Sequence, residues 1–230
     1  MDPAPYADYF DDGGYIIRGS HNLIIREVQF FGASDDGTVE GFDLDNRVSE
    51  SGDDQTCGHP DGIDRTGAEG IDNQLASIWS VIGPLVGEAT HALIKGAINE
   101  GRLLLAVELT GVDDLQNDED VTLTFFKAAA DPYVGTFGLL APDQTYYVDP
   151  AVPATVIENV QIVDGEIIAG PVEFQIPIDI LDEFFIVTVS NGKIRFKIQE
   201  DGSAKGFMGG YIDVKTVLEE GYQTKAAQEF

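Results

Sequence analysis

Apolar positions change period along the chain. From Leu75 to Ile98 they fall at Leu75, Ile78, Trp79, Ile82, Leu85, Val86, Ala89, Leu93, Ala97 and Ile98, at spacings dominated by three and four. Such spacing lays an apolar stripe along one side of a helix. Pro84 falls inside the stripe; it lacks a backbone N–H and crowds the preceding turn. The pattern therefore predicts a kinked helix pair over 72–100, with Asp72 as N-cap, Gly101 as the stop and Trp79 buried against a sheet. From Arg102 onward the period is two. Leu103, Leu105, Val107 and Leu109 alternate with Leu104, Ala106, Glu108 and Thr110, and Val121, Leu123 and Phe125 alternate with Thr122, Thr124 and Phe126. These are two strands of a hairpin with an acidic tip. Asp164-Gly165 and Asn191-Gly192 carry the two-residue hairpin-turn signature between further strand-like runs. Upstream, Tyr15–Arg18, Leu23–Phe31 (bulged near Arg26-Glu27) and Thr38–Phe42 read as strands, and Tyr211–Glu220 as a short closing helix. The expected class is α+β: mainly antiparallel sheet, sandwich or barrel-like, with the helix pair inserted near its front.

The domain reading follows. Residues 1–13 are rich in Pro, Asp and Tyr and read as a flexible arm, and 14–230 as one domain. Within it, 33–74 form an acidic loop and 72–100 the helical segment. The loop holds twelve of the chain's 41 acidic residues and only two bases, Arg47 and Arg65, which is more than an even share. Between Leu44 and Ile71 apolar residues almost vanish. A loop this long inside a domain is functional, disordered or organised by metal.

Charge narrows the partners. Thirteen Lys and Arg against 41 Asp and Glu give a net charge of −28. Phosphate contacts need cations, so nucleic acid is excluded as a partner, and anionic membrane surfaces are disfavoured. Divalent cations are favoured. A hydrophobic content of 43% suffices for a core. The single cysteine, Cys57, allows no intrachain disulfide. The longest apolar stretch carries Glu88, His91 and Lys95, so no membrane span is expected. The start, Met1-Asp2-Pro3, has neither a basic nor an apolar leader region. The expectation is a mature extracytoplasmic form (secreted, periplasmic or at the cell surface) whose leader is not part of the sequence.

The strongest chemical signal is Asp43, Asp45, Asp61, Asp64, Glu69 and Asp72, set among glycines. Calcium takes six to eight oxygens, and glycines let backbone carbonyls turn inward beside carboxylates. The spacing is not that of an EF-hand: counted from Asp61, position six is Thr66 where glycine is required. These six are the expected calcium ligands, against the alternative of a solvated acidic loop. Cys57 and His59 offer two soft ligands for zinc or copper, with His21 and His91 distant in sequence. The tip Asp113–Asp120 is a second candidate cation site, and Glu108 with Glu173 a candidate hydrolytic carboxylate pair. Gly-x-Ser-x-Gly, His-Glu-x-x-His, P-loop and dinucleotide fingerprints are absent.

The segments Gly41–Asp45, Cys57–His59, Asp61-Gly62, Gly70–Gln74 and Gly206–Gly210 together resemble uncharacterised secreted or lipoprotein-like proteins of myxobacterial type. That resemblance implies secretion and one compact domain, and carries no activity. The functional expectation is an extracytoplasmic, non-enzymatic binding or structural module with a calcium-ordered loop, meeting protein or polysaccharide at the cell surface. Two alternatives stand beside it: an acid-surface protein of a salt-rich habitat, and a secreted hydrolase using a carboxylate pair.

Overall fold

The computed structural model describes residues 10–11, 14–15, 21–53, 59–180 and 183–215. Its centre is an antiparallel sheet that curls into a half-barrel, so the α+β, sheet-dominated class holds. In chain order the elements begin with β1 (Phe10–Asp11) and β2 (Gly14–Tyr15), which pair with each other, and β3 (His21–Ile24). A small hairpin follows, β4 (Gly62–Ile63) with β5 (Glu69–Ile71), then helix α1 (Gln74–Asn99). The remaining strands are β6 (Leu104–Thr110), β7 (Asp118–Ala129), β8 (Tyr147–Val148), β9 (Thr155–Val163), β10 (Glu166–Ile180), β11 (Glu183–Ile198) and β12 (Ala204–Ile212). Across the large sheet the order is β12-β11-β10-β9-β7-β6-β3, with β8 also paired to β7.

Period-two alternation builds this sheet, but burial on β6 departs from it. Leu104 through Leu109 are all buried, because both faces of β6 are covered. The core runs from β6 and β7 through Val160, Ile162, Ile167 and Phe174 to Ile194 and Phe196, with Leu140 capping it from the β7–β8 connection. The Asp164-Gly165 turn forms as its sequence predicts, with φ of 51° and 75°, and joins β9 to β10. The hairpin of β6 and β7 likewise forms around its acidic tip.

Several expectations need correction. The helix is one continuous 26-residue element with Pro84 inside it, not a pair. A proline removes one ladder bond, and the remaining bonds carry the helix through. Its N-cap is Asn73, whose side chain accepts from Ala76 N at 2.9 Å, because the Asp72 carboxylate is already engaged by Leu44 N. The stop is as expected, Gly101 at φ 80° following the C-cap Glu100.

Trp79 is half-buried and does not lie on the sheet. Its ring meets Phe30 at 5.1 Å, and Ser80 Oγ accepts from Ala33 N at 3.1 Å, so the helix leans on the 30–33 segment. Its last turns, with Ala97 and Ile98 fully buried, enter the main core, and Ala76 in its first turn is buried in a smaller cluster with Val39 and Ile71. Asn191-Gly192 is not a hairpin turn either. It lies inside β11 at a bulge, with Asn191 at φ 51° and register shifts toward both neighbours. Asn-Gly supplies positive φ, which a bulge uses as readily as a turn.

Of the upstream strands, β3 covers only His21–Ile24, and 38–42 form no strand although Val39 N bonds Ile63 O. Tyr211 and Ile212, expected to open a helix, end β12 instead, and Cys57, most of the 1–13 arm, residues 16–18 and residues 216–220 lie outside the described residues.

Candidate metal centre

The site begins with a bend. Asp43 and Asp45 flank the buried Leu44 where the chain turns over 44–46, with Asn46 at φ 60°. Asp72 joins them from the end of β5. The two segments are zipped by Asp72 N to Phe42 O at 2.9 Å, Leu44 N to Asp72 Oδ2 at 2.7 Å, and Asn73 Nδ2 to Glu40 O at 2.6 Å. The result is three carboxylates, of Asp43, Asp45 and Asp72, each with a ligand atom within 4.8 Å of the others.

Glycines make this approach possible. Gly70 adopts φ 84°, and a Cβ there would stand 2.7 Å from Arg47 O and 3.3 Å from Asp43 Oδ2. A Cβ on Gly41 would meet Ile71 at 2.7 Å. Side chains at either position would pry the two segments apart.

Each carboxylate also organises local backbone. Asp43 Oδ1 accepts from Asn46 N at 2.6 Å, and Asp45 Oδ1 accepts from Arg47 N at 2.9 Å. Burial pushes the Asp72 carboxyl above its ordinary value, opposed by the bond from Leu44 N and reinforced by the charges of Asp45 and Asp61. An ionised Asp72 is therefore a strained charge that a cation would relieve.

The loop is seated on the large sheet by residues of β11 and β12. Asn191 Nδ2 donates to Leu44 O at 2.6 Å and Lys193 Nζ donates to Asp43 O at 2.8 Å, both from β11. Phe42 stacks at 4.9 Å on Phe207 of β12, with the Arg195 guanidinium 5.5 Å and 5.4 Å from the two ring centroids. Gly209 lies beneath Phe42, where a Cβ would come within 3.2 Å of the ring. Gly206 has no room for a Cβ against the Arg195 carbonyl. The Gly206–Gly210 segment and the Gly41–Asp45 segment, far apart in sequence, thus form one contact.

The other expected ligands are not brought into the cluster. Asp61 is near enough to act on Asp72 electrostatically, and its Oδ2 accepts from Ser49 N at 2.6 Å. Asp64 closes the β4–β5 turn: its Oδ1 accepts from Thr66 Oγ1 at 2.6 Å, Thr66 N at 2.8 Å and Ala68 N at 3.0 Å. Those bonds, the Thr66 hydroxyl first, hold its carboxyl below the usual range. Glu69 is exposed at the start of β5.

At the hairpin tip, Asp118 Oδ2 accepts from Asp113 N at 2.7 Å and Oδ1 from Asp120 N at 3.2 Å, which lowers its pKa. Its charge is thus already met by backbone N–H groups. Glu108 is buried on β6, whereas Glu173 is exposed on β10, with β7 and β9 between them. They form no facing pair. His59 and His21 are exposed, and His91 Nε2 lies 3.5 Å from Glu27. Among the described residues no helix is long and apolar enough to cross a membrane.

Comparison of the chain with protein-family models, with characterised proteins and with solved structures found no match.

Proposed function

We propose that the chain is an extracytoplasmic, non-enzymatic binding or structural module whose acidic loop is ordered by calcium. The observation that supports this most is the convergence of Asp43, Asp45 and Asp72 within 4.8 Å of one another. Three carboxylates so close repel unless a cation sits among them, and a hard divalent ion accepts an all-oxygen donor set. Calcium suits the site better than magnesium because it tolerates irregular geometry and mixed carboxylate and water ligation. Protein or polysaccharide at a cell surface is the proposed partner class. Calorimetric titration of the chelator-treated chain tests the reading. One equivalent of calcium should bind, more tightly than magnesium, and Asp43→Ala with Asp45→Ala should abolish the heat. Absence of calcium heat in the parent chain would end this reading.

A second reading has its own observation. Asp36, Asp64, Asp118 and Asp201 are tied into turns by nearby hydroxyl and backbone donors rather than gathered on a site. Acids used in this way suit the acid-surface protein of a salt-rich habitat. It requires that monovalent salt stabilise the fold as effectively as calcium.

A further inference from the structure

Helix α1 carries an apolar seam that is exposed among the described residues. Leu75, Ile78, Ile82, Leu85, Ala89 and Ala92 recur at strict three-four spacing, and all six are exposed. Leu85 is 84% exposed and the flanking Val81 72%. The opposite side of the helix is the one that leans on Phe30 and Ala33. A three-four repeat kept in phase over this length is the pattern of a helix that packs on another helix. The first fourteen residues of α1, Gln74 to Gly87, carry no charge.

We infer that this seam is a homodimer interface, in which α1 pairs antiparallel with α1 of a second copy across a two-fold axis near Gly83 and Pro84. Three arguments select a second copy. The molecule carries −28, so copies repel almost everywhere, and α1, with only Glu88 and Lys95 among Asp, Glu, Lys and Arg, is net neutral. The seam is also complementary in size to its own reverse. Its first three positions are Leu, Ile and Ile, its last three Leu, Ala and Ala. Antiparallel pairing sets Leu75 against Ala92 and Ile78 against Ala89 of the partner helix, with Ile82 against Leu85 at the centre. The outer layers are then large on small, and the central one is Ile on Leu, so no layer sets small on small. Parallel pairing would put large on large at one end and small on small at the other. Antiparallel helix dipoles also attract.

The third argument is area. A helix of this length is about 39 Å long at 1.5 Å per residue. The exposed Leu, Ile and Val along it supply several hundred Å² of apolar surface per copy, the scale of the roughly 800 Å² per partner that a stable interface buries. Self-association through this face is independent of the metal reading.

Sedimentation equilibrium of the full chain tests it. The expected species has twice the 24.8 kDa chain mass at micromolar concentration. Leu85→Glu should weaken association by roughly a hundredfold or more, with the circular dichroism spectrum unchanged because Leu85 is 84% exposed among the described residues. Orientation is read by cross-linking in a Cys57→Ser background. Ile78→Cys and Ala89→Cys chains should join by a disulfide when mixed and neither should join to itself. Self-linking of both would overturn the antiparallel arrangement. A monomer at all concentrations would overturn the proposal. So would a monomer that dimerises only after removal of residues 216–230, which would make that segment the seam's cover. So would a monomer that floats with phosphatidylcholine vesicles, which would make the partner lipid.

Discussion

Asp72 joins the two segments of the candidate centre. Its carboxylate receives Leu44 N, and burial raises its pKa above the ordinary value. A carboxyl whose folded pKa exceeds its unfolded one binds more protons in the native state, so its ionisation opposes folding as pH rises through that interval. Asp72→Asn keeps an acceptor for Leu44 N and removes the charge. The expected outcome is a higher melting midpoint in chelator, and loss of the calcium-specific rise. A variant that melts lower in chelator and keeps its calcium response would place the strain elsewhere. Asp149 shows the opposite sign. Lys127 Nζ donates to it at 2.8 Å, with both side chains largely buried, and that bond leads the causes that hold its carboxyl below 3.8. The associated stability is present at neutral pH and is lost as pH falls through the lowered value. Lys127→Met should cost about 2 kcal/mol at neutral pH and flatten the dependence on pH below about 4, as read from denaturant melts across that range.

At the scale of elements, the contact between the acidic loop and β12 should decide whether the site forms. Phe42 is 6% exposed between Phe207 and the Arg195 guanidinium. Phe42→Ala should cost about 3 kcal/mol and weaken the calcium response, because Asp43 and Asp45 follow directly on that seat. An unchanged calorimetric affinity would show that the carboxylates hold their geometry without it. The elements themselves were legible in the sequence where local period and turn chemistry mark them. The period-two runs gave β6, β7 and β9, and Asp164-Gly165 gave its turn. Asp43, Asp45 and Asp72 were legible as acids among glycines, but not as a trio apart from Asp61, Asp64 and Glu69. Carboxylate composition is the same for a ligand and for a turn-closing acceptor, and only the fold separates Asp72 from Asp64. Trp79 misled because an apolar stripe states that a helix face wants cover, not what covers it. Asn191-Gly192 misled because positive φ serves bulge and turn alike, and Lys193 and Asn191 owe their role to a register no local pattern encodes.

For the whole molecule, the charge of −28 is the dominant fact. It makes any added salt stabilising through screening, so a rise in melting temperature with calcium is informative only against a matched monovalent control. A specific ion acts differently: bound to the native state alone, at 100 times its dissociation constant it adds about 2.7 kcal/mol. The two effects also divide by residue, since screening is indifferent to Asp43, Asp45 and Asp72 while coordination depends on them. The most direct measurement is a thermal melt of the chain in chelator, in millimolar calcium, and in sodium chloride at the same ionic strength. The account predicts a midpoint in calcium well above that in matched sodium chloride, with the difference abolished by Asp43→Ala together with Asp45→Ala. Equal midpoints in calcium and matched sodium chloride would contradict it.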